Sequence, residues 1–409
     1  MNSETPKHAF PTRILFAEAE AIVRGVAAAN RLPVERIAVS RSAGRVLAED
    51  VVAAIRVPSF DNSAMDGFAL RSADAVAGAS LRLVGEQFAG RPGGFTVGEG
   101  ECVRITTGAP MPDGADAVVM KENVRLAGDR IELSAAVARG THVRMAGEDG
   151  GPGDLLLRAG TRLTAVQASL AAAVGMAELP VARRPTVAVF TTGDELRPPG
   201  QPIEPGEIYD SNRSLLMNLL VAEGLEPVAW PILPDEPDRM RALLRDAGEA
   251  FDVVITCGGV SAGEKDYLTG LIAELGAIHF WKVLMRPGMP LVFGRVGQAH
   301  LLALPGNPVS VLATFLTLGR QLLRGLQGDA AGLGPVRAQL SMPVAKTHDR
   351  REFQRGKLAF GDDATLSVAP HPATASHRLR GAADSDCLIV LPEGALDWPE
   401  GRLVDVLRY

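Results

Sequence analysis

Cysteine is scarce. The 409 residues contain three, Cys102, Cys257 and Cys387, too far apart for any CxxC pair. Such spacing offers neither a zinc site nor a disulfide framework. Long basic runs are also missing, and 42 Lys and Arg against 48 Asp and Glu leave a net charge of −6. A nucleic-acid footprint is therefore not expected. An anionic ligand must instead be held by a few local cations and backbone N–H groups. Long apolar runs are absent too. MNSETPKHAFP at the N-terminus has no signal-peptide core. The most apolar stretch, 163–182, is broken by Gln167, Ser169, Gly175 and Glu178. A membrane span needs about 20 predominantly apolar residues, so a core helix, no membrane contact and a cytoplasmic location are expected.

Hydrophobic residues at 46% and charged residues at 22% fit a globular chain, and its length calls for more than one core. Leu15, Ala19, Ile22 and Val26 recur at helical spacing. Short β-type runs at 81–85, 101–106 and 116–120, with Gly and Pro between them, mark a β-rich segment over 48–142. Residues 162–177 return to a helical pattern, so the β-region reads as an insertion in a helical domain of 1–47 and 143–182. From 183 to 327 the texture alternates. TVAVF (186–190), 226–232 and DVVIT (252–256) are strand runs, with helices from about Ser211, Asp235–Pro237 and 264. That alternation predicts a parallel, doubly wound α/β sheet. Extended runs at 335–345, 386–391 and 402–408 make 328–409 a small β-domain.

Ligands of open parallel sheets bind beyond the carboxyl ends of the strands. Three unusual turns fall there: TTGDE (191–195), CGGVSAGEKDY (257–267) and LPGNPVS (304–310). Their small residues, Gly193, Gly258, Gly259, Ser261, Pro305, Gly306, Asn307 and Ser310, let backbone N–H groups approach a phosphate, which a helix N-terminus also favours. One Gly-Gly would signify only a tight turn; three coincident turns point to a crevice.

Glu195 and Asp266 sit in these turns, and a carboxylate pair beside phosphates suggests Mg²⁺; solvated surface charge is the plain alternative. Asp235 is either a third such carboxylate or the N-cap of the helix opened by Pro237. Lys282 and Arg286, four apart in FWKVLMRPGMP (280–290), offer charge to an oxyanion, or else form an exposed basic loop. In the first half, PSFDNSAMDGFALR (58–71) is a turn-rich loop. Within it Asp61 fits an Asx-turn with Ser63, and Asp66 precedes Gly67; Thr107 lies at another strand end. His142, His279, His300 and His377 show no ligand spacing.

Taken together, DNSAMDGFA, TTGAPMPDGADAVVM, GED (147–149), TTGDE, CGGVSAGEKDY, FWKVLMRPGMP and LPGNPVS resemble the molybdopterin molybdenumtransferases, or molybdenum insertases, a family that includes the gephyrin E domain. The match runs in order from about residue 14 to the end. The resemblance implies a multidomain α/β and β fold. Its parts would be an elongated helical domain (1–47 with 143–182), an inserted β-domain (48–142), a doubly wound molybdopterin-binding α/β domain (183–327) and a C-terminal β-barrel-like domain (328–409). It also implies a homodimer with a shared active site, adenylylated molybdopterin and molybdate as substrates, and release of AMP. Its partners would include the molybdopterin adenylyltransferase and acceptor molybdoenzymes.

Carried over by motif, Asp66, Thr107, Asp149, Glu195, Asp235, Asp266 and Lys282 would be catalytic, with Asp66, Glu195, Asp235 and Asp266 around Mg²⁺. Arg286, Arg355 and Ser376 would hold molybdate. The chain departs from the family pattern at Met289, where Lys is frequent, at Arg286 (often Lys), Cys257 (often Ser) and Ala375 (often Gly), and in its acidic 380–386 segment. A molybdopterin adenylyltransferase and a non-catalytic scaffold are the competing readings. A dinucleotide-binding oxidoreductase is disfavoured because no GxGxxG follows the first α/β strand.

Overall fold

A computed structural model of the chain describes residues 10–260, 267–329, 334, 336–362, 364–394 and 397–409. These gather into two compact units. One comprises Arg36–Ala159 with Leu163–Pro180; the other comprises the described residues of Met1–Glu35, Gly160–Arg162 and Val181–Tyr409.

The first unit is built on a six-stranded sheet ordered Ala117–Met120, Gly67–Leu70, Glu101–Ile105, Ser80–Gln87, Arg130–Leu133, Val124–Ala127. Because side chains alternate along a strand, Phe68 and Leu70 enter one core with Leu81, Cys102 and Ile131. Ala69 enters the opposite one with Ile105 and Val118. Gly67 opens the strand next to the sheet edge, where a Cβ would lie 1.9 Å from the Val119 carbonyl oxygen. That close approach admits only glycine and fixes where the preceding Asp66 emerges.

The second unit holds a seven-stranded sheet ordered Thr12–Ile14, Gly276–Val283, Val292–Val296, Ala299–Leu304, Val253–Cys257, Val187–Thr191, Val228–Ala229. Ala299–Leu304, Val253–Cys257, Val187–Thr191 and Val228–Ala229 pair in parallel, as the alternating pattern implied. Val292–Val296 departs from the all-parallel expectation, running antiparallel to both neighbours. The reason is connection length. A parallel crossover needs a dozen or more residues, and only Gly297 and Gln298 separate this strand from the next, Gly297 taking φ 55°.

Helices cover both faces. Val187, Val189, Val253 and Ile255 share one core with helices Phe16–Ala29, Ser211–Ala222 and Pro308–Thr314 and its continuation to Leu326. Ala188, Phe190 and Val254 face Met240, Leu244 and Ala247 of Pro237–Ala250, and Leu271 and Ile272 of Leu268–Leu275. The N-terminal helix is amphipathic, but its buried stripe is offset from the expected Leu15, Ala19, Ile22 and Val26: Leu15 is exposed ahead of the helix, Ile22 and Val26 are half-buried, and only Ala19 is fully buried. Its Phe16, Ala19, Val23 and Ala27 are buried against the α/β sheet, whereas the sequence had grouped this helix with 143–182.

The C-terminal strands close into a barrel. Arg351–Phe360 pairs with both Leu366–Pro370 and Cys387–Leu391, and Val336–Leu340 and Leu403–Arg408 complete the ring. Two residues of the α/β segment, Met285 and Arg286, add to this barrel in parallel, opposite Arg351 and Glu352. Sheet pairing thereby carries the barrel up to the strand ends.

Candidate functional site

The carboxyl ends of the α/β strands open into a cleft of about 1150 Å³. Of the turns singled out from sequence, Gly193, Gly258, Gly259, Pro305, Gly306, Asn307 and Ser310 line it; Ser261 and Asp266 lie outside the described residues. Gly258 takes φ 98°, and a Cβ there would meet Thr192 Oγ1 at 2.5 Å. Only glycine lets the strand end 257–259 run this close to the neighbouring turn. Two helix N-termini also reach the cleft, at Ser211–Asn212 and Asn307–Ser310. Their dipoles suit an anion, although the Arg213, Val309 and Ser310 N–H groups are bonded to Asp210, Ser376 and Asn307.

Glu195 and Asp235 supply acidic oxygens to the lining. Asp235 does not cap its helix. Glu236 holds the N-cap position, Pro237 begins the first turn, and the Asp235 N–H points to Asp194 Oδ1 at 3.4 Å. Asp210 also lines the cleft, but its carboxylate is committed. It caps Ser211–Ala222 through the Arg213 N–H (3.0 Å), accepts from the Thr191 hydroxyl (2.6 Å) and pairs with Arg213 Nε (3.1 Å). Cys257 is buried, which holds its thiol well above the usual range, and its Sγ lies 3.5 Å from the Pro305 carbonyl.

The opposite lining comes from the barrel side. Arg286 Nε lies 3.8 Å from Glu352 Oε1, and His348 Nε2 lies 3.1 Å from Glu352 Oε2, close but not aligned as a hydrogen bond. Asn307 Nδ2 donates to Ser376 Oγ at 3.0 Å, and the Val309 N–H donates to the Ser376 carbonyl at 3.1 Å. These bonds hold Ser376 at the mouth of the third turn. Arg355, expected to grip an oxyanion directly, is only 2% exposed. Its Nη1 donates to the Arg378 carbonyl (2.8 Å), and its Nη2 donates to the carbonyls of Ala373 and Ala375. Most of that donor fork is spent bracing the loop that carries Ser376. Lys282 is not among the lining residues; its ammonium sits 3.8 Å from the Trp281 ring centroid.

In the first unit the sequence motifs also converge. Asp66 Oδ1 accepts from the Thr107 N–H (2.8 Å) and the Thr107 hydroxyl (2.9 Å), while Lys121 Nζ is 3.9 Å from Oδ2. The Thr107 bonds, with Lys121 and Arg104 nearby, hold this exposed carboxyl below its usual range. Asp61 does not close an Asx-turn on Ser63. Its Oδ1 accepts from the Ala146 N–H at 2.7 Å and ties the 58–66 loop to the segment bearing Asp149, whose own N–H donates to the Val57 carbonyl at 2.9 Å.

Glu195, Asp235, Arg286, Arg355 and Ser376 thus belong to one cleft, and Asp66, Thr107 and Asp149 to the loops of the other unit. Sequence reasoning overlooked Lys121 beside Asp66, and Arg350 and Glu352 in the cleft. A basic or acidic residue next to a strand carries little signal alone, although Arg350 and Glu352 flank the start of the strand bearing Arg355. Among the described residues no group of three or more His, Cys, Asp or Glu side chains is placed to hold a metal ion. Mg²⁺ commonly uses one or two carboxylates plus substrate phosphate oxygens and water, and Glu195 and Asp235 fit that more modest donor set. His300 is buried and His279 half-buried, and both have pKa values pushed down first by burial.

A doubly wound α/β domain with a glycine-rich crevice at its strand ends, walled on one side by a β-barrel, belongs to the class of open-sheet proteins that bind ligands beyond their strand ends. Residues 14–175 match the MoeA N-terminal region (domain I and II), 188–325 the probable molybdopterin binding domain, and 337–409 the MoeA C-terminal region (domain IV). The chain is 38% identical to a molybdopterin molybdenumtransferase of Haemophilus influenzae, over 91% of this chain and 93% of that protein. It is 38% identical to one from a Nostoc species, over 89% and 86%. A crystal structure of a molybdopterin biosynthesis MoeA protein from Pyrococcus horikosii superposes with a TM-score of 0.79 at 31% identity, covering 95% of this chain and 98% of that one. The chain belongs to the molybdopterin molybdenumtransferase family. Among the described residues no helix is long and apolar enough to cross a membrane.

Proposed function

We propose that this protein inserts molybdate into adenylylated molybdopterin with release of AMP, the last step of molybdenum cofactor synthesis. The observation that carries this reading is the two-sided cleft: Glu195 and Asp235 with glycine-rich turns, and Arg286 with Ser376, line the same 1150 Å³ space. A nucleotide-linked pterin needs phosphate contacts and carboxylates near its anhydride, whereas molybdate needs cations and hydroxyl donors.

In this account the Gly259 and Asn307 N–H groups of these turns bind the phosphates, since those of Gly258, Val309 and Ser310 are held by the Leu304, Ser376 and Asn307 carbonyls. Glu195 and Asp235 orient the anhydride and would hold Mg²⁺, which supplies charge neutralisation when bound. Arg286 and the Ser376 hydroxyl receive the oxyanion. Arg355 positions Ser376 through the 373–378 carbonyls. Asp266, Ser261 and Lys282 keep their assigned roles as proposals. The homodimer, in which Asp66, Thr107 and Asp149 of a second copy complete the cleft, belongs to the same proposal. So do a cytoplasmic location and the adenylyltransferase and molybdoenzyme partners. The test is to incubate purified protein with adenylylated molybdopterin, Mg²⁺ and molybdate. AMP and active cofactor should form together; formation of adenylylated molybdopterin from ATP instead would identify an adenylyltransferase.

A further inference from the structure

We propose that Arg350 is an oxyanion-contacting residue of this cleft and supplies the free positive charge at the 286–290 turn. The inference deepens the molybdate reading above and rests on it. Arg350, Arg286 and Met289 all line the cleft. The two arginines differ in what already occupies them. Arg286 faces Glu352 at 3.8 Å, so part of its charge is met within the protein. Among the described residues Arg350 has no carboxylate partner, and the contact its guanidinium makes is with Met289 Sδ, 3.8 Å from Nη1. A thioether is a weak, uncharged acceptor. The donor fork of Arg350 therefore remains available to an incoming anion, at a half-buried position where an ion is screened less than at the open surface.

Several surrounding groups tune this corner. Lowered first by burial, the His348 pKa is raised by Glu352 but pushed further down by Arg286, Arg350 and Lys346, so these cations lie within electrostatic reach of one imidazole. Lys346 is offset by Glu352, Glu393 and Asp349, and Arg286 by Glu352, which leaves Arg350 as the cleft-lining cation of this corner with the least internal compensation for a doubly charged tetrahedral oxyanion to meet. A planar guanidinium can give such an anion two parallel hydrogen bonds. Met289 then has a specific place: it covers the guanidinium without neutralising it, as Asp or Glu there would.

The test measures molybdate binding to the full chain by equilibrium dialysis, together with KM for adenylylated molybdopterin. Five proteins are compared: wild type, Arg350→Ala, Arg350→Gln, Arg286→Ala, and the double variant Arg350→Ala/Met289→Lys. Arg350→Ala is expected to weaken molybdate binding about tenfold or more, as loss of a charge-assisted hydrogen bond does, with the pterin KM changed less than twofold. Met289→Lys, which returns a cation to the same corner, should restore most of that affinity. Arg350→Gln, which keeps much of the side-chain bulk, should reproduce the loss if Arg350→Ala fails to fold. Molybdate affinity that is unchanged in Arg350→Ala or Arg350→Gln while Arg286→Ala loses it would overturn the role of Arg350 and leave the functional reading standing. A loss that Met289→Lys does not repair would also overturn it. A wild-type protein that binds no molybdate would remove both.

Discussion

Arg286 and Glu352 face each other across a parallel strand pairing, with Nε 3.8 Å from Oε1. The pairing joins the α/β segment to the barrel, and it places an acid beside a cation proposed to receive an oxyanion. Exposed pairs of this kind contribute about 0.2–1 kcal/mol. Glu352→Gln should release that hold and tighten molybdate binding by about 1.5- to 5-fold, the same energy expressed as a ratio. Weaker binding would mean that Glu352 holds Arg286 in its productive orientation.

Arg355 acts on Ser376 through backbone. Arg355→Lys keeps the charge but cannot donate to the carbonyls of Ala373, Ala375 and Arg378 at once. Molybdate affinity should fall in Arg355→Lys about as far as in Ser376→Ala, and adding Ser376→Ala to Arg355→Lys should cost little more. Full additivity in this double-mutant cycle would assign Arg355 a direct contact.

At the far end of the strands a different pair serves stability. Burial alone would raise the Asp252 pKa, but bidentate hydrogen bonds from Arg183 (2.7 and 2.8 Å) and donation from the Thr186 N–H and hydroxyl outweigh it and hold the carboxyl below 3.8. A depressed carboxylate contributes stability that is fully present above its unfolded value and is lost as pH falls through the folded one. Asp252→Asn should cost roughly 1–3 kcal/mol in urea unfolding at pH 7, and the gap to wild type should narrow only below about pH 4. A gap independent of pH down to the acid transition would refute the pairing as its source.

Much of this fold was legible in the sequence because alternation of period 2 and period 3.6 survives in single segments. Val187–Thr191, Val253–Cys257, Ser211–Ala222 and Pro237–Ala250 fall where their patterns put them. The antiparallel strand Val292–Val296 was not legible, since its apolar run looks the same in either direction and only the short Gly297–Gln298 link decides. Met285–Arg286 is too short for any periodicity, yet it joins the barrel. In the site, glycine-rich turns and Asp66 with Thr107 stood out locally. The commitment of Arg355 was hidden because its carbonyl partners lie 18, 20 and 23 residues downstream. Arg350 was hidden because a free guanidinium is defined by what is not near it.

A homodimer with shared sites makes an arithmetical prediction. Asp66→Ala and Glu195→Ala should each be inactive alone. After denaturation and joint refolding, random pairing makes half the dimers mixed, each with one intact site, so about one quarter of wild-type activity should return. No recovery would place Asp66 and Glu195 in the same copy's site or outside it.

The most direct measurement separates the two sides of the cleft in single-turnover reactions. Glu195→Gln and Asp235→Asn should bind molybdate as wild type does while releasing AMP on the order of 100-fold more slowly, the usual scale for losing one group that stabilises developing charge. AMP release at the wild-type rate in both variants would contradict the assignment of these carboxylates to the anhydride, and with it the proposed division of the cleft.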